Sequence, residues 1–239
     1  MTARGFPPMV RRIREVRRAM KHLLTTMLIT VLATTAAAQE RRPESRQDHA
    51  GIFDFYVLSL SWSPTFCAGQ GGSRNDQQCG TGKDFRFIVH GLWPQYEKGY
   101  PDFCETSEPD RVPRELGRPL FDIMPSMGLI GHQWRKHGSC TGLGQRDYFG
   151  KLREAWGRIR LPSDLSRGET ALTLSAEQIE EKFVIANPGM SRRGISTSCE
   201  GKQLEEVRIC LTKDLQFRDC AEVDRDGCKI GQITLPAAR

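Results

Sequence analysis

The chain has 239 residues, with 35 Lys+Arg against 29 Asp+Glu and a formal net charge of +6. Residues 1–38 hold seven of those basic residues and one of the acidic ones, which leaves 28 of each sign behind them. The hint of nucleic-acid binding in the bulk charge therefore belongs to the leader, and an anionic ligand of the remaining domain must be held by a local cluster.

Met20-Lys21-His22 is basic, Leu23 to Thr35 is mostly apolar, and Ala36-Ala37-Ala38 offers small residues for cleavage. That order predicts a secretory signal peptide over residues 1–38. Met20 is the preferred start; the other reading uses Met1 and takes Arg17-Arg18 as a twin-arginine signal. A membrane anchor would need roughly 20 apolar residues, more than this run supplies. Residues 39–50 are polar and charged and read as a flexible linker. Residues 51–239 suffice for one domain with its own core.

Within that domain, Phe53 to Trp62 is rich in aromatic and branched residues and predicts a strand. Gly69 to Gly82 is dense in Gly, Asn, Asp, Ser and Gln and predicts a loop. Phe85 to Val89 predicts a central strand with His90 at its end. Leu120 to Met127 predicts a short helix interrupted at Pro125. Leu129 to His137 predicts a helix ending near Gly138. Tyr148, Leu152, Trp156 and Ile159 recur at helical spacing before Pro162. Ser175-x-x-Gln178 is a capping box, with Ile179 and Phe183 on one face of the helix that follows. Val207, Ile209 and Leu211 alternate with Arg208, Cys210 and Thr212, as in a strand. Helices in the middle and strands at both ends give an α+β domain, a central and mainly antiparallel sheet with helices packed on it.

All eight cysteines (Cys67, Cys79, Cys104, Cys140, Cys199, Cys210, Cys220 and Cys228) follow the cleavage site. An even count behind a signal peptide implies four disulfides and an exported protein, secreted or periplasmic. Eight cysteines allow 105 connectivities, and spacing alone does not choose among them. No Cys-x-x-Cys pair occurs, which argues against structural zinc. No Asn-x-Ser/Thr site occurs, so N-glycosylation is not expected.

Five histidines occur, and two of them, His22 and His49, lie in the leader and linker. The other three sit in two aromatic-flanked segments, Phe87 to Pro94 and His132 to Cys140. On a helix, Gln133 and His137 share one face, and His132 and Lys136 share the neighbouring stripe. His132 and His137 stand about 140° apart around such a helix, which disfavours joint metal binding. The helical zinc spacing of two histidines at i and i+4 with Glu between is absent. Two imidazoles and an ammonium suit cleavage of RNA. One imidazole takes the proton of the ribose 2′-hydroxyl, the other protonates the departing 5′-oxygen, and the cations offset phosphoryl charge. No metal or other cofactor is required.

The two segments resemble the signatures of the ribonuclease T2 family. His90-Gly91-Leu92-Trp93-Pro94 matches the first. His132-Gln133-Trp134-Arg135-Lys136-His137-Gly138-Ser139-Cys140 matches the second, with Gln133 where the family carries Glu and Ser139 for Thr. The resemblance spans Phe53 to about Ile233. It implies a metal-independent endoribonuclease that leaves 2′,3′-cyclic phosphate ends, with His137 as general base and His90 as general acid. It further implies Lys136 as transition-state stabiliser, His132 as a phosphate-contacting helper and Gln133 in a positioning role. Trp93 would stack on a base, and Gln95 stands where some members carry an acidic base-selecting residue. The implied disulfides are Cys67–Cys79, Cys104–Cys140, Cys199–Cys228 and Cys210–Cys220. The expected partner is RNA alone, bound by a monomer with no membrane attachment after signal cleavage. A non-catalytic RNA- or nucleotide-binding protein on the same scaffold is the competing reading, with Gln133 its only support. A histidine-based metal hydrolase ranks last, because neither motif has a carboxylate at ligand spacing.

Overall fold

The computed structural model describes residues 49–69, 72 and 75–238. The signal-peptide reading and most of the linker reading lie outside the described residues. Six strands form one sheet: β1 (Phe55–Trp62), β2 (Phe87–Gln95), β3 (Leu172–Leu174), β4 (Ile195–Glu200), β5 (Gln203–Leu211) and β6 (Ile233–Leu235). The order is β2-β1-β5-β6-β3, with β4 also pairing β5. All pairings are antiparallel except the single contact of β5 with β6. The helices are α1 (Ser63–Ala68), α2 (Asp76–Cys79), α3 (Arg114–Gly117), α4 (Met127–Lys136), α5 (Gln145–Gly157), α6 (Ser163–Arg167), α7 (Ala176–Ala186) and α8 (Ala221–Arg225). The domain is thus α+β, a mainly antiparallel sheet carrying helices and four disulfides.

Strand β1 lies between β2 and β5 and is buried on both sides. Its residues Tyr56, Leu58, Leu60 and Trp62 enter the main core. That core also takes Tyr148, Phe149 and Leu152 of α5 and Ile179 and Phe183 of α7. Each large apolar side chain fully buried there contributes about 1.5–3 kcal/mol. Alternation turns Phe55 and Val57 to the opposite face, where they pack with Cys210 and Cys220. The second face of the sheet carries the site.

Helix α7 begins with the capping box read from the sequence. The Ser175 side chain accepts from Gln178 N–H at 3.2 Å, and Gln178 accepts from Ser175 N–H at 2.9 Å. Other elements differ from expectation. No helix spans 120–127: a 3₁₀ turn at Arg118–Leu120 leads through bends, and α4 starts only after Ser126. Pro125 lacks the N–H an interior turn needs, whereas the Ser126 hydroxyl accepts from Leu129 N–H and caps α4. The Gly-rich stretch after α1 contains α2, capped by Asn75. The bridges join Cys67 to Cys79, Cys104 to Cys140, Cys199 to Cys228 and Cys210 to Cys220, which is the pairing the resemblance implies.

Candidate active site

Strand β2 does not stop at His90, as the sequence suggested, but runs on to Gln95. Pro94 is tolerated because β2 is an edge strand. Ser59 of β1 pairs with Gly91 and Leu60 with Val89, so His90 is an extra residue with no partner on β1. Val89 and Leu92 are three apart yet both reach the core, which strict alternation forbids. The bulge at His90 resolves the conflict and turns the imidazole to the site face. Trp93 lies opposite Val57 on that face. Across β1, Ser61 pairs with Glu206 and Ser59 with Arg208, so β5 presents a carboxylate and a guanidinium to the same face.

Helix α4 lays Gln133 against β2. Gln133 is buried, and its Oε1 accepts from the Trp93 indole N–H at 2.7 Å. A Cβ on residue 91 would stand 2.0 Å from that oxygen, so only glycine fits there. His137 is the C-cap of α4 rather than its last helical residue, with φ −123° and ψ −46°. Its N–H still donates to the Gln133 carbonyl at 3.0 Å, which keeps the two side chains near each other. The His137 ring stacks on Trp93 with centroids 5.1 Å apart. The chain beyond is fixed by the Cys104–Cys140 bridge and by Phe103 N–H donating to the Lys136 carbonyl at 2.9 Å. A Cβ on Gly138 would stand 2.5 Å from the Trp134 ring, so that position too needs glycine.

His90, Trp93, Gln95, His132, Gln133, Lys136 and His137 all line one hollow of about 340 Å³. A second hollow of about 570 Å³ shares His90, His132, Glu205 and Glu206 with it and continues past Ser61, Ile88 and Leu129. Trp93 touches His137 on one side, and the Arg208 guanidinium lies 5.5 Å from its ring centre. Gln95 is buried, and its Nε2 donates to the Pro94 carbonyl at 3.1 Å. Among the residues of this surface that sequence reasoning missed, Glu206, Arg208 and Tyr100 stand next to the histidines. Glu206 takes a hydrogen bond from Nδ1 of His90. Arg208 donates to the other oxygen of Glu206 through Nε at 2.9 Å, and its Nη2 forms an ion pair with the same oxygen at 2.9 Å. Tyr100 is half exposed, 6.3 Å from the His137 ring and 5.9 Å from the Lys136 ammonium. The only signal for Glu206 and Arg208 was their alternation with the core residues of β5, a pattern that also fits a solvated face.

The electrostatics follow from burial and neighbouring charge. Burial first, then Lys136, His90 and His132, push His137 down to about 3 from an ordinary 6.5, against a smaller opposing pull from Glu206. Burial and the same kind of cationic neighbours, Lys136 first, also lower His132. For Glu206 burial raises the carboxyl, but the His90 hydrogen bond, the charge of His90 and Arg208 outweigh it and hold the group well below the usual carboxylate range. The Nδ1 of His137 is buried with no hydrogen-bond partner among the described residues. Among those residues no three His, Cys, Asp or Glu side chains are grouped to hold a metal ion.

The fold has counterparts in solved ribonuclease-type structures. The fold is similar to an RNase-related protein from Calystegia sepium, with a TM-score of 0.62 and 21% identity over 78% of this chain and 98% of that one. It is similar also to RNase NT, solved in complex with 5′-AMP, with a TM-score of 0.58 and 25% identity over 78% and 99%. A "Ribonuclease" of Aeromonas hydrophila is 34% identical over 169 residues, 69% of this chain and 74% of that protein. The protein is an endoribonuclease. Residues 53–220 match the Ribonuclease T2 family, and the chain belongs to it.

Proposed function

We propose that the protein cleaves single-stranded RNA without a metal, by transphosphorylation to 2′,3′-cyclic phosphate ends. His137, neutral because it is buried among cations, takes the proton of the ribose 2′-hydroxyl. The 2′-oxygen forms a bond to phosphorus as the bond to the 5′-oxygen breaks. His90 delivers a proton to that departing oxygen. Lys136 and His132 offset the charge that builds on the phosphoryl oxygens. Gln133 positions rather than reacts, since an amide neither gives nor takes a proton here. Trp93 supports His137 through ring contact, and Trp93, Gln95 and the exposed Tyr100 ring frame a base site in the same hollow. DNA has no 2′-hydroxyl and would bind without being cut.

The observation that carries this reading is the shared hollow, in which seven residues from two distant segments meet at one surface. We further infer that residues 1–38 are a signal peptide and 39–50 a linker, and that residues 51–239 act as a secreted or periplasmic monomer without an obligate protein partner. The test is to incubate the mature domain with labelled RNA, with and without EDTA, and to analyse the ends. Cyclic phosphate products in EDTA are expected, with losses of at least ~10²-fold in His90→Ala and His137→Ala. Binding without cleavage would turn the assignment to a nucleotide-binding protein. Loss in EDTA restored by added metal would reject the metal-free mechanism.

A further inference from the structure

Among the described residues, Glu206 is the one aspartate or glutamate that is buried. Its side chain keeps only 4% of its exposure, whereas that of His90 beside it keeps 36%. A lone buried carboxylate costs several kcal/mol, so its partners are part of the reason it can stand there. Those partners are specific. One oxygen takes Nδ1–H of His90, and the other takes Nε–H of Arg208 and pairs with its Nη2. The family's carboxylate on the helix is meanwhile replaced by the amide of Gln133.

We propose that Glu206 is a positioning residue for the general acid: it binds Nδ1–H of His90 and so reserves Nε2–H for the leaving 5′-oxygen. The inference rests on the reading of His90 as that acid. An imidazolium can lose either proton, and only the one on Nε2 is useful. With Nδ1–H held by Glu206, the ring keeps the same hydrogen bond before and after transfer, and the tautomer left behind is already the bonded one. Arg208 keeps the carboxylate from taking the Nδ1 proton by stabilising it as an anion. The other titratable or charged groups lining the hollow with His90 are Tyr100, His132, Lys136, His137, Glu205, Arg208, Glu222 and Asp226. Among the described residues, the side-chain bond to the His90 ring comes from Glu206.

A merely structural Glu206 would tie β5 to β2 and nothing more. The two roles separate by leaving group, because a general acid matters for a departing ribose 5′-oxygen and not for 4-nitrophenolate. The experiment compares a dinucleoside monophosphate with a ribonucleoside 3′-(4-nitrophenyl phosphate). On the dinucleoside, Glu206→Gln is expected to lower kcat by about 10–100-fold with KM changed by less than about 3-fold, within the range of acid–base effects. On the nitrophenyl ester its loss should be below about 3-fold, and His90→Ala should show the same contrast. The double variant should be no slower than His90→Ala on the dinucleoside, since the two residues act as a unit. Equal losses by Glu206→Gln on both substrates would overturn the proposal. Equal losses by His90→Ala would instead overturn the reading of His90 beneath it. If Glu206→Gln does not fold, Glu206→Asp keeps the charge at shorter reach. It should then show a smaller loss confined to the dinucleoside, and a loss shared by both substrates would again reject the role.

Discussion

The indole N–H of Trp93 donates to Oε1 of Gln133 at 2.7 Å, and both atoms occupy the space that a side chain on residue 91 would fill. One bond thus joins the strand of the first motif to the helix of the second. Gly91→Ala would force a methyl group against Gln133 and the Trp93 ring, an overpacking that typically costs 1–3 kcal/mol. The expected outcome is a lower Tm and a kcat reduced by at least ~10-fold, because His137 rests on the displaced indole. Unchanged kinetics in a folded Gly91→Ala protein would show that this contact does not hold the site.

Gln133→Glu tests whether the amide only positions. A carboxylate oxygen can accept from Trp93 as the amide oxygen does, and Lys136 is nearby to offset its charge. Activity is expected to hold or rise. Gln133→Leu leaves the partly buried indole N–H of Trp93 without its acceptor, at a cost of about 1 kcal/mol, and should lower both Tm and kcat. A large loss in Gln133→Glu alone would mean that a proton-bearing group at 133 harms the site.

Local patterns made several elements legible in the sequence. The capping box set the start of α7, the alternation of Val207, Ile209 and Leu211 marked β5, and the two histidine segments supplied the three histidines, Trp93, Gln133 and Lys136 that meet in the hollow. The unread parts depend on contacts distant in sequence. His90 could be read as a strand end because the bulge exists only in the pairing of β2 with β1. Glu206 lies 116 residues from His90, and nothing in its neighbourhood tells a buried partner from a surface charge. The 120–127 segment had helical composition, but Pro125 and the Ser126 cap delayed the helix until Met127.

The state of His137 gives a pH dependence with a definite sign. A general base must be unprotonated, and burial with cationic neighbours pushes this one from 6.5 down to about 3. The acid limb of kcat/KM, which reports the free enzyme, should therefore fall well below pH 6.5. Stability falls in the same direction but starts to do so at higher pH. Below 6.5 the unfolded chain binds a proton at this residue while the folded one does not until about 3, so stability is lost through that window as pH falls. Glu206, depressed in the fold, adds a loss of the same sign below its ordinary 4.5. Melting curves from pH 7 to 4 should show a falling Tm that flattens in His137→Gln. An acid limb near 6.5 would contradict the buried, neutral base.

Two of the bridges allow chain tethering to be separated from site geometry. Cys104–Cys140 spans 36 residues and Cys199–Cys228 spans 29. Loop-closure entropy grows with the logarithm of loop length, so each removal should cost a similar amount, about 2–4 kcal/mol. Their positions differ. Cys140 N–H donates to the His137 carbonyl at 3.1 Å, and Cys104 follows Phe103, whose N–H holds the Lys136 carbonyl. Cys199 and Cys228 line neither hollow of the site. Paired serine substitutions at 104 and 140 are expected to lower Tm and also to cut kcat several-fold at temperatures where the protein is still folded. The same change at 199 and 228 should lower Tm by a comparable amount and leave kcat within about 2-fold. Equal kcat in the two variants would mean that the end of α4 keeps its histidine in place without the bridge.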